Sequence, residues 1–147
     1  MEFDFDALSN EYVEVLQEAK SMILATSSGD KVTARTISHV NDGLDIYFQT
    51  DDTSEKCGQI RCNPRIAFAA GNMQIEAFAE IAGHPHYNPH FAELYKAKFP
   101  CYYELYTYSE NEVVIHSVPS KVTFYKYINR KPYRDILDLN LKKAYRV

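Results

Sequence analysis

Hydrophobic and polar positions alternate with a period of two in several stretches of this chain, as they do in β-strands that bury one face. Turn residues follow two of these stretches, Ser-Gly-Asp at 28–30 and Asn-Asp-Gly at 41–43, and they predict two β-hairpins. Seven strands or β-rich runs are predicted, at residues 22–26, 32–40, 44–50, 65–70, 73–82, 113–118 and 121–128.

Apolar residues recur at helical spacing near the N-terminus and again after the fifth strand. Ser9 and Glu11 have the character of an N-cap and a first-turn acid, so we expect a helix from there to about Lys20. Residues 88–99 form a second helical pattern. The tyrosine-rich segment 102–108 predicts a further short helix.

One more short helix is predicted between the third and fourth strands. Ser54 caps it at residue 55, and Pro64 ends it because proline disfavours helical backbone at the preceding residue. The tail, residues 132–147, is ambiguous between helix and strand. Antiparallel strands joined by hairpins, with helices inserted between them, predict a mainly β protein: a barrel or sandwich with peripheral helices, in a single domain over residues 1–147.

Composition narrows the range of functions. The 147 residues carry a net charge of −4, which argues against nucleic acid as a partner because phosphate backbones bind basic surfaces. No apolar run approaches the roughly 20 residues that cross a bilayer, and the acidic N-terminus lacks the basic start of a signal peptide. Cys57, Cys62 and Cys101 are odd in number and have no metal-ligand spacing, so reduced thiols in the cytoplasm are expected.

The region around the second hairpin has the character of an anion site. Arg35 lies in mid-strand on the face of Ile37, where an arginine is either a solvated edge charge or a ligand for an anion. Lys56 lies in the first turn of its helix, where a positive charge interacts unfavourably with the helix dipole. An anion bound at that helix end would offset the unfavourable interaction. Ser54 and Thr50 would add hydroxyl donors, so the simplest ligand is a phosphate monoester.

The order and spacing of these segments resemble the FMN-binding split barrels of the pyridoxamine 5'-phosphate oxidase family. The resemblance covers residues 21–83 well and the C-terminal strands in outline, and a glutamine typical of the family follows as Gln74. The segments that carry it are Ala34-Arg35-Thr36-Ile37, Phe48-Gln49-Thr50, Ser54-Glu55-Lys56 and the run from Gln59 to Asn63-Pro64.

The resemblance implies an antiparallel six- to seven-stranded split β-barrel with peripheral helices, and a homodimer with FMN at the subunit interface. Arg35 and Lys56 would hold the phosphate with help from Ser54 and Thr50, and Gln74 would reach the flavin of the neighbouring subunit. The ribityl chain and ring would be lined by Thr36, Ile37, Ser38, Phe48 and Gln49.

The chain has no tryptophan and lacks the C-terminal Arg-x-His element of pyridoxamine phosphate oxidases, so that substrate is not expected. The resemblance points to the short branch that includes general-stress and nitroimidazole-resistance-type proteins. It implies an FMN-dependent oxidoreductase that moves hydride or electrons between a nicotinamide donor and a small planar acceptor, with no evident catalytic side chain. The alternatives are a non-enzymatic flavin-binding stress protein and a haem-binding relative.

Two further clusters have both a local and a functional interpretation. His84, His86 and His90 could ligate a metal or haem, although histidines that cap the following helix are the favoured interpretation. The tyrosines of segment 102–108 either roof a pocket over the flavin or pack their helix onto the barrel, and packing is favoured.

Overall fold

The computed structural model describes all 147 residues, and its strands form one antiparallel sheet. The elements are, in chain order, β1 (Glu2–Phe3), α1 (Phe5–Glu18), β2 (Met22–Ser28), β3 (Lys31–Ile37), β4 (Val40–Asp42), β5 (Asp45–Asp51), α2 (Glu55–Cys62), β6 (Arg65–Ala70), β7 (Met73–Ile81), a 3₁₀ turn (Pro85–Tyr87), α3 (Pro89–Lys98), α4 (Pro100–Tyr106), β8 (Glu112–Ile128), β9 (Lys131–Asp138) and β10 (Lys143–Arg146).

The sheet curls into a barrel that stays open along one seam. Neighbouring strands follow the order β3-β2-β6-β7-β8-β5-β4, and β8 also pairs with β9. Strand β3 has a strand partner on one edge only, and β4 pairs with β5 only over residues 45–47. No strand therefore joins β3 to the end of β5. The predicted mainly β split barrel with peripheral helices is confirmed.

Two clusters of apolar side chains stabilise the fold. The barrel interior is a continuous core that includes Leu24, Phe48 and Phe68, and α1 covers one end of it with Tyr12 and Leu16. A second cluster lies between the outer face of β5 and β8 and helix α3, and its members are Val40, Phe91, Tyr95 and Val114. The helices α3 and α4 are thus packed on the outside of the barrel, beside the open seam.

The structure departs from the sequence predictions mainly at element ends. Helix α1 begins at Phe5 rather than near Ser9, because the Asp4 carboxylate accepts the Ala7 N–H at 2.8 Å and caps the helix earlier. The tail forms β9 and β10, and β1 and β4 are further short strands, so the sheet has ten strands rather than six or seven. The runs predicted on either side of Pro119 form one strand, β8.

Strand β8 can run through Pro119 because the ladder changes there. Up to Ser117 one edge of β8 pairs with β5, and from Lys121 onward the same chain pairs with β9. Pro119 falls between the two ladders, beside a register shift opposite Glu76 and Ala77, where the missing N–H is tolerated. None of the helices combines the length and the apolar composition needed to cross a membrane.

Candidate functional site

The Arg35 guanidinium is fixed by hydrogen bonds to uncharged side chains. Its guanidinium donates to the Thr26 hydroxyl at 2.7 Å and to the Thr33 hydroxyl at 2.5 Å. Each hydroxyl in turn donates to the Gln59 side-chain oxygen, at 2.5 and 2.7 Å. A hydroxyl can accept one bond while it donates another, so the network is satisfied without a carboxylate. The guanidinium is half-buried.

The local folding pattern explains why these groups meet. Thr26 and Thr33 are directly opposite each other in the β2–β3 hairpin, and Leu24 is opposite Arg35 on the same face. Gln59 enters from α2, which packs on β2, and it is only 5% exposed. Sequence analysis missed this trio of Thr26, Thr33 and Gln59. The available signal was Thr26 and Thr33, polar residues at strand positions where the alternation calls for core residues.

Lys56 is the second cation of the site. Ser54 caps α2 by accepting the Cys57 N–H at 3.4 Å, and Lys56 is half-buried in the first turn. The pKa of Lys56 is lowered, first by burial and then by the positive charge of Arg35. Cys57, Glu112 and Asp51 act in the opposite direction without reversing the shift. The charge of Arg35 therefore acts on Lys56.

Neither of these two cations forms an ion pair. Other basic side chains near the start of α2 do so: Lys31 pairs with Glu55 at 2.8 Å, and Arg61 pairs with Asp52. No carboxylate lies within ion-pair distance of Arg35 or Lys56. Two half-buried like charges without a counterion are unfavourable by themselves, and an anion between them would relieve this. We name this pair the cation pair.

The cation pair lies at the open seam of the barrel. Arg35 projects from β3, whose outer edge has no strand partner, and Lys56 follows the end of β5 through the loop 52–54. Backbone N–H and C=O groups along such an edge are available to a ligand. The seam therefore combines positive charge at one end with unpaired backbone groups along its length.

The structure places three of the predicted ligand-lining side chains inside the barrel. Phe48 is fully buried and packs edge-on against Phe68, with ring centroids 6.3 Å apart, and Ile37 and Thr50 are buried as well. In this arrangement only the backbone of Phe48 and Ile37 can face a ligand at the seam. Alternation along the strand explains this, because Ile37 lies two positions from the inward-facing Arg35.

The remaining predicted site residues lie on other faces. Thr36 and Ser38 border a cavity of about 640 Å³ beside Lys98 and Tyr102. Gln49 faces the α3–α4 side, where its amide is hydrogen-bonded to Thr107 at 3.3 Å. Gln74 is exposed on the outer face of β7. The structure thus brings Arg35 and Lys56 together within one chain, and it does not bring Gln74 to them.

The histidines of the loop before α3 have separate local partners. His84 accepts the His86 N–H at 3.0 Å, which caps the 3₁₀ turn, and its other ring nitrogen donates to the Ser109 carbonyl at 2.8 Å. His90 lies 3.1 Å from the Asp42 carboxylate. No group of three or more histidines, cysteines or acids is arranged to hold a metal ion. In the tyrosine-rich segment, Tyr103 packs against the α3 cluster while Tyr102, Tyr106 and Tyr108 are exposed.

Comparison with known proteins agrees with the fold. A family model described as pyridoxamine 5'-phosphate oxidase matches residues 8–126. The chain belongs to this family. No curated protein matches the chain in sequence at a significant level.

Three solved structures illustrate the range of relatives with this fold. A Clostridium acetobutylicum protein related to general stress protein 26 aligns with TM-score 0.70 at 15% identity, over 95% of this chain and 99% of that one. An FAD-binding protein from Mesorhizobium loti aligns with TM-score 0.62 at 12% identity, over 77% and 90%. The haem storage protein HutZ of Vibrio cholerae aligns with TM-score 0.64 at 13% identity, over 75% and 88%.

The network behind Arg35 can be tested by removing one hydroxyl. Replacement of Thr26 with Val removes one of the two threonine partners of the guanidinium and one of the two hydroxyl donors to the Gln59 oxygen, and we expect a loss of about 2 kcal/mol in the free energy of unfolding. Thr36→Val, on the exposed face of the same hairpin, is the control and should change stability by less than about 0.5 kcal/mol. Urea denaturation measures both, and equal effects would contradict the network.

Proposed function

We propose that this protein is an FMN-binding flavoprotein that acts as an oxidoreductase. It transfers hydride or electrons between a nicotinamide donor and a small planar acceptor, and it works as a homodimer with FMN at the subunit interface. The observation that carries the proposal is the cation pair of Arg35 and Lys56, which lacks a carboxylate counterion. Membership of the pyridoxamine 5'-phosphate oxidase family and the likeness to an FAD-binding protein support a flavin.

The donor set fits a phosphate monoester. Arginine presents further N–H donors beyond those given to the two threonines, and its planar fork suits phosphate oxygens. The backbone N–H groups of Glu55 and Lys56 precede the first intrahelical bonds of α2, which are made by Cys57 to the Ser54 hydroxyl and by Gly58 to the Ser54 carbonyl. These free N–H groups and the helix dipole favour a bound anion.

The protein's own contribution would be to hold and orient the cofactor. Bound FMN would supply reversible hydride and electron transfer, which no side chain offers. Arg35, Lys56 and Ser54 would fix the phosphate end. Ile37, Phe48 and Thr50 would contribute backbone groups only, because their side chains are buried in the barrel. The side chains of Thr36, Ser38 and Gln49 would line the ribityl chain and ring.

Exposed apolar side chains on the outer face of the barrel support the proposed homodimer. Phe78 of β7 is directly opposite Val118 on β8 and Arg65 on β6, whose guanidinium lies 5.2 Å from the Phe78 ring centroid. Ile23 continues this face on β2, and all three apolar side chains are exposed. Gln74 shares the same face of β7. Pairing two such faces would bury the apolar residues and carry Gln74 towards the seam of the partner.

The phosphate assignment predicts a difference between two flavins. Arg35→Ala and Lys56→Ala should each weaken FMN binding by about 1.5–3 kcal/mol and leave riboflavin binding nearly unchanged, because riboflavin lacks the phosphate. Fluorescence titration measures both ligands. Lys31→Ala removes a nearby lysine that is already paired with Glu55, and it should leave both affinities unchanged. Equal losses for FMN and riboflavin would place the phosphate elsewhere.

Oxidoreductase activity predicts that bound flavin is reduced by NADH or NADPH. Under anaerobic conditions the flavin absorption band should bleach on addition of the nicotinamide and return when a quinone or nitroaromatic acceptor is added. A yellow protein whose band resists both nicotinamides would instead favour the non-enzymatic flavin-binding alternative.

The dimer predicts a mass of twice 17.0 kDa in solution. Phe78→Asp should produce monomers and reduce FMN affinity together, because the proposed site needs both subunits. Tyr127→Asp, on the exposed β8–β9 hairpin, is the control and should leave the dimer intact. Light scattering after gel filtration makes the measurement, and a monomeric wild-type protein that still binds FMN would refute the interface.

A further inference from the structure

The β8–β9 hairpin extends beyond the rest of the sheet. Strand β7 pairs with β8 only as far as Phe124, and β10 pairs with β9 only from Asp135 onward. We call the intervening residues 125–134 the arm. Two further backbone hydrogen bonds hold the arm at its base, and residues 126–133 pair only across the hairpin. A two-stranded ribbon gains little stability from its own pairing, so the arm contributes reach more than stability.

The arm is strongly basic. It contains four basic residues, and all 20 acidic residues of the chain lie outside it. Lys126 is neutralised at the base of the arm by Glu11 and Asp135. The other three basic residues are exposed and form no ion pair: Arg130, Lys131 and Arg134. A surface with several unpaired cations attracts a polyanion.

Apolar side chains lie on both faces of the arm near its tip. Tyr127 and Ile128 are successive residues of β8 and therefore point to opposite faces, and they are 71% and 40% exposed. Nucleic-acid bases would stack on the aromatic residues of one face, whereas the headgroup layer of a membrane surrounds an inserted tip. Exposed apolar groups on both faces therefore favour a lipid surface as the polyanion.

The length of the arm separates its tip from the acidic remainder of the protein. From Tyr125 to the turn at Asn129 the strand covers roughly 13 Å, at about 3.3 Å per residue. The Debye length at physiological ionic strength is about 8 Å. Salt therefore screens much of the repulsion between an anionic surface at the tip and the acidic body, and the net charge of −4 does not prevent docking.

The turn at the tip holds a cation in a strained backbone conformation. Asn129 and Arg130 have φ angles of 52° and 67°, as a type I′ hairpin turn requires at its two central residues. Asparagine tolerates this left-handed region, but the second position favours glycine and is unfavourable for arginine. A function for the positive charge at the tip would account for an arginine in this position.

We propose that the arm docks the protein on an anionic lipid surface. Tyr127 and Ile128 enter the headgroup layer, where tyrosine rings and apolar side chains are favoured. Arg130 and Lys131 lie against the negatively charged lipid headgroups. This inference does not depend on the proposed cofactor.

The test is co-sedimentation of the full chain with vesicles, made either of phosphatidylcholine alone or of phosphatidylcholine and phosphatidylserine in equal parts. We expect the protein to bind the anionic vesicles only, and we expect added salt to release it. Arg130→Gly removes one charge and suits the type I′ turn, so the variant should fold and bind the anionic vesicles about fivefold more weakly.

Lys142→Gly is the matched control. Lys142 is exposed, also has a positive φ angle, of 52°, and lies in the turn at the other end of β9. Because β9 separates it from the tip by more than a Debye length, its replacement should leave binding unchanged. Tyr127→Ser keeps the charge of the arm and should still weaken binding, since the tyrosine ring enters the headgroup layer.

Absence of binding to the anionic vesicles, or equal binding to neutral ones, would overturn the proposal. Equal losses in Arg130→Gly and Lys142→Gly would show an effect of overall charge rather than of the arm. Tighter binding of a single-stranded oligonucleotide than of the vesicles would assign the arm to nucleic acid. Loss of the dimer in Tyr127→Asp would assign the arm to a second copy of the chain.

Discussion

The repulsion between Arg35 and Lys56 is the constraint on which the rest of the account depends. The charge of Arg35 contributes to lowering the pKa of Lys56, so the two like charges oppose each other in the empty site. The fold holds both cations half-buried, and it supports Arg35 with two threonines and a glutamine rather than with an acid. A carboxylate in that place would stabilise the empty site and compete with a phosphate. Neutral acceptors fix the guanidinium's position and leave its charge for a ligand.

Where signals are local, the sequence predicts the fold closely. The bounds of α2 follow from Ser54 at one end and Pro64 at the other, and the structure agrees with them. The start of α1 was wrong because the cap at Asp4 lies before the helical pattern begins. The tail could not be assigned from the sequence because β9 is stabilised by pairing with β8. A short stretch of sequence around β9 does not include that partner strand.

The same division applies to the candidate site. Arg35 and Lys56 stand out in the sequence because a strand interior and a first helical turn are unusual places for a cation. Thr26 and Gln59 do not stand out in the sequence. Their role appears only when the hairpin register and the packing of α2 bring them into one hydrogen-bond network with Arg35. Phe48 was placed at the ligand by resemblance, and the structure buries its side chain because the strand alternation carries it into the core.

The central claim concerns the position of one phosphate group, and a crystal structure of the protein grown with FMN tests it most directly. The account predicts the phosphorus between the Arg35 guanidinium and the Lys56 amine of one subunit, with oxygens accepting bonds from both and from the start of α2. A phosphate bound away from both side chains, or cations turned outward to solvent beside a bound flavin, would contradict it.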